Sequence, residues 1–222
     1  KIGMSVITAR FLGPAGRGIF YSFFQATGMT NTILTISIGD GLIYNIGRGK
    51  IKREDTFGTV ISLAIFFGTL VAGVLFLILP LIQEYLLQNI SSDSLMLAYL
   101  IAPAIMYEYF ANYALRGLKI FSIANKISIT SRITVLISSC LALYIYVGSL
   151  YHLWYWFGLL VNCLIYSFAL FQASRFKLSF NVSSIPSTVR YSLRVHPAVL
   201  LTELEYRLDI FILLFFLDPA AV

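Results

Sequence analysis

Eight ionisable side chains that could bind charged ligands lie within strongly apolar stretches of this chain. At the centre of a bilayer such a residue costs about 2.5–3.5 kcal/mol on insertion scales, so it usually faces a cavity or a partner. Cations there attract anions such as a diphosphate, whereas carboxylates bind a coupling proton or sodium ion, or hydrogen-bond neighbouring helices. The candidate cations are Arg207, Lys1 and Arg132, and the candidate carboxylates are Asp40, Glu108, Glu203, Glu205 and Asp209.

Arg207 and Lys1 fall at similar depths if the apolar stretches around them are helices. Arg207 precedes Asp218 by eleven residues, about 16 Å of helix, and Lys1 precedes Gly13 by twelve, about 18 Å. Both depths lie near the middle of a hydrocarbon core about 30 Å thick. We therefore expect the two cations to face each other across a central cavity. The alternative for Arg207 is an ion pair with Glu203, four residues earlier on the same helix.

The carboxylates Asp40 and Glu108 allow either ion coupling or structural hydrogen bonding. Asp40 stands between Gly39 and Gly41, so a bend is expected there. Glu108 stands among aromatic residues that could stack on sugars. We expect His196 at a membrane edge, and its surroundings contain no second ligand at metal spacing, so no metal or other cofactor is expected.

The composition excludes a water-soluble globule. Of 222 residues, 59% are hydrophobic and 12% charged, and the mean hydropathy is +0.84, whereas soluble domains carry about 25% charged residues. The net charge of +6 is spread over short gaps between apolar stretches, unlike the clustered basic face of a nucleic-acid-binding protein. The two cysteines lie inside apolar stretches and indicate no disulfide framework.

The apolar stretches predict an all-α polytopic membrane protein. Stretches of about 20 residues without strict alternation are typical of membrane-spanning helices. The first stretch ends near residue 12, and the others cover 18–46, 57–81, 96–115, 120–147, 151–171 and 191–217. Because the chain begins at Lys1 and stops just after a turn, we expect a fragment whose first helix is truncated.

Basic residues are distributed unevenly among the gaps. The gaps 48–55, 116–126 and 174–190 are basic, whereas 83–94 and 148–152 contain no lysine or arginine. Under the positive-inside rule the basic gaps are cytoplasmic, which also puts the N-terminus in the cytoplasm. The alternative is that the basic gaps dock a substrate or a partner.

A similar turn ends the first and the last apolar stretch: FLGPA at 11–15 and FLDPA at 216–220. Both turns end a helix that runs outward, and six helices separate the two copies. Parallel repeats of this kind occur in transporters. We therefore predict a six-helix lobe plus the first helix of a second, pseudo-symmetric lobe. The predicted boundaries are 1–174 for the N-terminal lobe, 175–190 for a cytoplasmic linker and 191–222 for the start of the second lobe.

Three sequence stretches resemble bacterial polysaccharide flippases of the multidrug/oligosaccharidyl-lipid/polysaccharide exporter superfamily. ITARFLGPAGRGIF and SIGDGLIYNIGRGK are similar to the opening of these proteins, and RYSLRVHPAVLLTELEYRLDIFILLFFLDPAAV is similar to the start of their second lobe, with Arg207-Leu208-Asp209 as its Arg-x-Asp. The resemblance implies a transporter of 12–14 helices in two lobes. It also implies translocation of undecaprenyl-diphosphate-linked oligosaccharide between leaflets, by alternating access, for export of O-antigen, capsule or exopolysaccharide.

Two other functions are alternatives to the flippase. A cation-coupled multidrug antiporter of the same fold is supported by Asp40 and Glu108, whereas Lys1, Arg132 and Arg207 favour a carrier of diphosphates. A membrane-bound glycosyltransferase or polymerase is disfavoured by the short outward gaps, so we expect no enzyme.

The expected partners are a lipid-linked glycan, the lipid bilayer and glycan polymerase machinery, without nucleic acid. The expected location is the bacterial cytoplasmic membrane, with Na⁺ or H⁺ as the coupling ion.

Overall fold

The described part of the protein consists of helices joined by turns and contains no strand. A computed structural model describes residues 6, 10, 13, 32–85, 102–145, 151–175 and 184–216. Its α-helices are α1 (Ile38–Gly47), α2 (Thr56–Tyr85), α3 (Ala102–Gly117), α4 (Phe121–Ile145), α5 (Tyr151–Ala173) and α6 (Ile185–Phe216), and a 3₁₀ turn at Arg53–Asp55 precedes α2. The all-α prediction is confirmed, and α2, α4 and α5 agree with the predicted stretches to within a few residues.

Helix α3 occupies the centre of the bundle and packs against α1, α2, α4 and α5. Its residues Met106, Phe110 and Ala114 recur every four positions and are buried, as expected for the apolar face of a central helix. Phe110 meets Phe67 of α2 edge to face, with ring centroids 6.1 Å apart. Because α3 has neighbours on most sides, it can also position polar groups between helices.

The second predicted stretch, 18–46, is not one continuous helix. Residues 32–34 are helical, a turn follows at 35–37, and α1 begins at Ile38. In that turn Ile36 and Ser37 have φ of 48° and 53°, a left-handed conformation that is strained for a β-branched residue such as isoleucine. The bend expected at Asp40 is not found there, because α1 is helical from Ile38 to Gly47; the break lies at 35–37 and is not formed by glycine.

Gly39 and Gly41 instead allow neighbouring helices to approach α1. A Cβ on Gly39 would lie 2.7 Å from the ring of Tyr113 in α3, and one on Gly41 would overlap Ser192 and lie 2.8 Å from the carbonyl oxygen of Thr188 in α6. The two glycines thus point to opposite neighbours, and α1 lies between α3 and α6.

Helix α6 starts earlier than the seventh predicted stretch. It begins at Ile185, inside the predicted linker 175–190, because Pro186 is tolerated in a first helical turn and the carbonyl oxygen of Ser184 accepts hydrogen bonds from Ser187 and Thr188. Residues 185–190 of the predicted linker are therefore helical, and its residues 176–183 lie outside the described part. The polar residues of this turn carry no apolar signal, which explains the late predicted start.

The α1–α6 contact forms a regular antiparallel seam. Asn45 Nδ2 donates to Thr188 Oγ1 at 3.1 Å, and the rings of Tyr44 and Tyr191 stack with centroids 3.9 Å apart. Successive contacts between the two helices lie four residues apart, and their residue numbers rise along α1 as they fall along α6. The seam joins the predicted first lobe to the first helix of the second.

Parts of the three basic gaps lie at one end of the bundle. Arg53 Nε donates to the carbonyl oxygen of Ala173 at 2.6 Å, which connects the first gap to the end of α5. Gly117, at the end of α3, lies against Ile46, at the end of α1. We call this end, formed by 48–55, 116–120 and 173–175, the basic end.

Large apolar side chains form exposed stripes on the outer helices. In α4 and α5 the exposed residues recur every three or four positions, so each stripe is continuous along its helix. One described helix, Arg53–Leu77, is long and apolar enough to cross a membrane, and Phe157–Ala173 is a shorter apolar helix. The stripes comprise Ile65, Phe66, Leu70, Phe76 and Leu77; Ile129, Ile133, Ile137 and Leu141; and Phe157, Leu160, Leu164 and Phe168.

A substitution at Gly41 should weaken the α1–α6 seam. In Gly41→Ala the added methyl group collides with the hydroxyl of Ser192 and the backbone of Thr188, so we expect a loss of about 1–3 kcal/mol in stability. Gly47→Ala, on the same helix, is the control because nothing lies within 4 Å of its added Cβ. Thermal unfolding in detergent compares the two; equal melting temperatures would show that the seam is not tightly packed.

Candidate functional site: a polar layer in the bundle

Polar side chains from four helices and from the turn before α1 lie at nearly the same height above the basic end. Each of these residues lies nine to eleven positions from the end of its helix at the basic end. At a rise of 1.5 Å per residue, this corresponds to a height of about 13–17 Å above that end. If the helix ends at the basic end mark the edge of a hydrocarbon core about 30 Å thick, this height corresponds to its midplane. We call these residues the polar layer: Ser37, Glu108, Ser131, Arg132, Asn162 and His196.

The most buried part of the polar layer joins α3, α4 and α5. Ser131 Oγ donates to Glu108 Oε1 at 2.6 Å, and Asn162 Nδ2 donates to the Ser131 carbonyl oxygen at 3.4 Å. Asn162 is fully buried, yet its Oδ1 has no hydrogen-bond partner. A buried amide oxygen without a partner costs free energy.

Arg132 belongs to the same layer but is exposed. It follows Ser131 and is close enough to interact electrostatically with Glu108. Along α4, the polar residues Asn125, Ser128 and Arg132 follow at helical spacing and are exposed or half-buried. They form a polar stripe.

The polar stripe is distinct from the other two faces of α4. At 3.6 residues per turn it lies about 120° from the centre of the exposed apolar stripe that contains Ile133 and Ile137. The third face, with Ser131 and Ser138, is buried against α5. Arg132 therefore lies on neither the apolar stripe nor the face of α4 that is buried against α5.

A second polar contact crosses the seam at the helix break. Ser37 Oγ and His196 Nδ1 are 3.0 Å apart and hydrogen-bond. Because α6 starts at Ile185, His196 lies eleven residues into this helix, and its expected position at a membrane edge stays a prediction. Pro197 follows it and cannot donate a backbone hydrogen bond. Both helices of the seam are thus irregular at the height of the layer.

Asp40 lies in the first turn of α1, one turn nearer the basic end than Ser37, and is half-buried. A carboxylate at a helix N-terminus is stabilised by the helix dipole. The structure does not bring Asp40 into the Glu108 hydrogen-bond cluster, so the two predicted carboxylates occupy separate places in the bundle.

Further polar contacts hold α3 against α5 beside the layer. The hydroxyls of Tyr107 and Ser167 hydrogen-bond at 2.8 Å, and Asn112 Nδ2 donates to the Tyr166 hydroxyl at 2.8 Å. Interhelical bonds of this kind contribute about 0.6 kcal/mol each on average in membranes, and up to about 2. Together they fix the rotation of α3 and hence the direction of Glu108.

The other predicted site residues are not tested. Lys1 lies outside the described residues, as do the side chains of Glu203, Arg207 and Asp209, although their backbone is part of α6. Glu205 is exposed on α6. The proposed pairing of Arg207 with either a substrate or Glu203 stays a prediction.

Ser131 and Asn162 were not predicted from the sequence. Asn162 interrupts the apolar run GLLVNCLIY, and a single amide in such a run is the signal that could have identified it. Ser131 carries no such signal, because serine is common in membrane helices and its role depends on Glu108, 23 residues away.

Comparison with known proteins supports the resemblance drawn from the sequence. No curated protein and no solved structure gives a significant match. The family model described as polysaccharide biosynthesis protein matches residues 1–222. Members of this family are membrane proteins of polysaccharide biosynthesis and transport, in agreement with the exposed apolar stripes. The chain belongs to the polysaccharide biosynthesis protein family.

Proposed function

We propose that the protein translocates a lipid-linked oligosaccharide with a diphosphate linkage across the bacterial cytoplasmic membrane by alternating access. The observation that carries the proposal is the position of Arg132: an exposed guanidinium on a polar stripe, about 16 Å from the helix end at the basic end. An arginine at this depth is costly unless it faces water or an anion. Its planar fork suits phosphate oxygens.

The surrounding structure suits a multi-pass carrier. The exposed apolar stripes of α2, α4 and α5 contact lipid, and the basic end faces the cytoplasm by the positive-inside rule. Arg207 and Lys1 are the cations expected to complete the cavity. The seam between α1 and α6 is the contact that opens and closes when the lobes rock. The protein then acts as a transporter rather than an enzyme and delivers glycan to the polymerising machinery.

Reconstituted protein tests the proposed function directly. The full-length protein is placed in proteoliposomes that contain undecaprenyl-diphosphate-linked oligosaccharide in both leaflets, and an external glycosidase reports accessible glycan. We expect cleavage to rise from about half of the glycan to nearly all of it, because translocation exposes the inner pool.

Protein-free liposomes are the control for leakage. Cleavage that stops at the outer-leaflet fraction, together with extrusion of a lipophilic cationic drug by the same preparation, would contradict the flippase and support the multidrug antiporter.

A further inference from the structure

Two cations are held on a pair of stacked tyrosine rings where the seam meets the basic end. The Tyr44 and Tyr191 rings are parallel to within 11°, with centroids 3.9 Å apart. The guanidinium carbon of Arg48 lies over the Tyr44 ring at 4.7 Å, and Lys50 Nζ lies 6.0 Å from the same centroid. The ring quadrupole attracts cations at such distances. Both positive charges are therefore fixed next to α6 although neither belongs to it.

Two arginines of α6 add to this positive charge. At 100° per residue, Arg190 and Arg194 lie about 100° and 60° from Tyr191 on one side, whereas Thr188 and Ser192 of the seam lie on its other side. Both arginines are exposed. We call Arg48, Lys50, Arg190 and Arg194 the seam cations. The single carboxylate of α1, Asp40, can balance only one of them.

We propose that the seam cations bind the headgroup of an anionic phospholipid and thereby hold this end of the seam closed. Phosphate oxygens accept the charge-assisted hydrogen bonds that arginine donates. Clusters of four or more basic residues at the cytoplasmic surface are typical binding sites for anionic lipids. The proposal takes two things from the proposed function: the cytoplasmic position of the basic end and the opening of the seam during transport.

The surface of α6 favours a lipid over a soluble phosphate. Leu193, Pro197 and Leu201 follow Arg190 at intervals of three or four residues, so they share one face of the helix. All three are exposed. Positive charge near the basic end thus gives way to apolar surface farther along the same helix, which matches the headgroup and the acyl chain of one phospholipid.

The position of the seam cations on two helices gives the lipid its effect. Arg48 and Lys50 follow α1, whereas Arg190 and Arg194 belong to α6, and the stacked tyrosines hold the two pairs side by side. A headgroup that contacts both pairs binds the closed seam more tightly than an open one. Because a ligand shifts a conformational equilibrium by its difference in affinity for the two states, anionic lipid favours the closed seam.

Thermal stability of the purified full-length protein in detergent tests the site without any glycan. Dioleoyl phosphatidylglycerol is titrated into the micelles. The comparison ligands are dioleoyl phosphatidylcholine, inorganic phosphate and undecaprenyl diphosphate. A ligand that binds only the folded state raises the melting temperature in proportion to the logarithm of its concentration once it exceeds Kd. We expect the largest rise for phosphatidylglycerol, and none for phosphatidylcholine or inorganic phosphate.

Two double variants with equal loss of charge separate the seam cations from other basic residues. Arg48→Gln/Arg190→Gln removes one cation from each helix and should weaken phosphatidylglycerol about thirtyfold. The matched control is Arg116→Gln/Lys126→Gln, which removes exposed cations of α3 and α4. Arg116 also lies over a tyrosine ring, that of Tyr113 at 6.0 Å. This control should keep the full lipid-dependent shift.

Cross-linking reports the closed seam itself. Asn45 and Thr188 face each other at 3.1 Å, so Asn45→Cys/Thr188→Cys, with Cys140 and Cys163 replaced by alanine, forms a disulfide when the seam is closed. Phosphatidylglycerol should raise the rate of cross-linking under a fixed oxidant, and phosphatidylcholine should not. A rate that phosphatidylglycerol leaves unchanged or lowers would contradict the effect on the seam.

The remaining outcomes also decide the proposal. A phosphatidylglycerol shift that survives in Arg48→Gln/Arg190→Gln would overturn it, as would an equal shift with phosphatidylcholine or inorganic phosphate. A larger shift with undecaprenyl diphosphate that depends on the same arginines would assign the site to the substrate instead. Because the assay contains no glycan, a failed lipid site leaves the flippase proposal standing, and a failed translocation assay leaves lipid binding standing.

Discussion

Replacing Arg132 with alanine is expected to abolish glycan export while the amount of protein in the membrane stays near that of the wild type. Arg132 is exposed on the polar stripe of α4 and packs into no apolar core, so its removal should not unfold the bundle. Charge-assisted hydrogen bonds contribute about 1.5–3 kcal/mol each, so losing one or two to a diphosphate lowers substrate affinity by roughly 10–10⁴-fold. Export is measured as surface glycan in a flippase-deficient strain.

Two further variants define what Arg132 contributes. Arg132→Lys keeps the charge but loses the bidentate geometry, so partial export is expected. Lys126→Ala is the matched control, because Lys126 is an exposed cation on the same helix, nearer the basic end; it should export normally.

The double variant Arg132→Ala/Glu108→Gln distinguishes substrate binding from charge balance. If Arg132 only neutralises Glu108, removing both charges restores export. Restored export would contradict the role in substrate binding, whereas a double variant as inactive as Arg132→Ala supports it.

Replacing Gly68 with alanine is expected to destabilise the bundle by about 1–3 kcal/mol or more, because the added methyl group overpacks a closed interface. A Cβ at Gly68 of α2 would collide with the backbone of Pro103 in α3. Backbone cannot rotate away as a side chain can, so α2 and α3 must separate. These helices form the most extensive contact in the described part of the chain.

Gly73→Ala is the matched control on the same helix. Gly73 is exposed, and nothing lies within 4 Å of its added Cβ, so the greater helix propensity of alanine should stabilise the protein by about 0.5–1 kcal/mol. Melting temperatures in detergent should therefore move in opposite directions. A fall of equal size in both variants would contradict packing on Pro103 as the cause, because nothing lies within 4 Å of a Cβ at Gly73.

The sequence predicted the helices because their driving force is local. A run of apolar residues near 20 long must satisfy its backbone within itself in lipid, so 120–147 and 151–171 became α4 and α5 with nearly the predicted bounds. The charge asymmetry of the gaps likewise anticipated that 48–55 and 116–120 would share one end of the bundle. Arg132 and Glu108 were also predicted, because a charge in an apolar run is conspicuous by itself.

The helix break at 35–37 could not be predicted, because its cause is distant in sequence. The segment TILTIS contains neither proline nor glycine, yet Ile36 and Ser37 take left-handed φ values. Ser37 is held by His196, 159 positions away. Only α6, whose polar first turn the apolar pattern missed, could bring that histidine to the seam.

Tertiary structure alone decided which polar residues meet. Composition placed Glu108, Ser131 and Asn162 in three separate helices, but it carried no information on rotation or relative height. Packing of α3 between its neighbours set both, and it brought Glu108 to the Ser131 hydroxyl and the Ser131 carbonyl to the Asn162 amide. The physical reason is that burial of apolar surface is non-directional and specifies only that helices associate, whereas interhelical hydrogen bonds and glycine contacts select one rotation and one register.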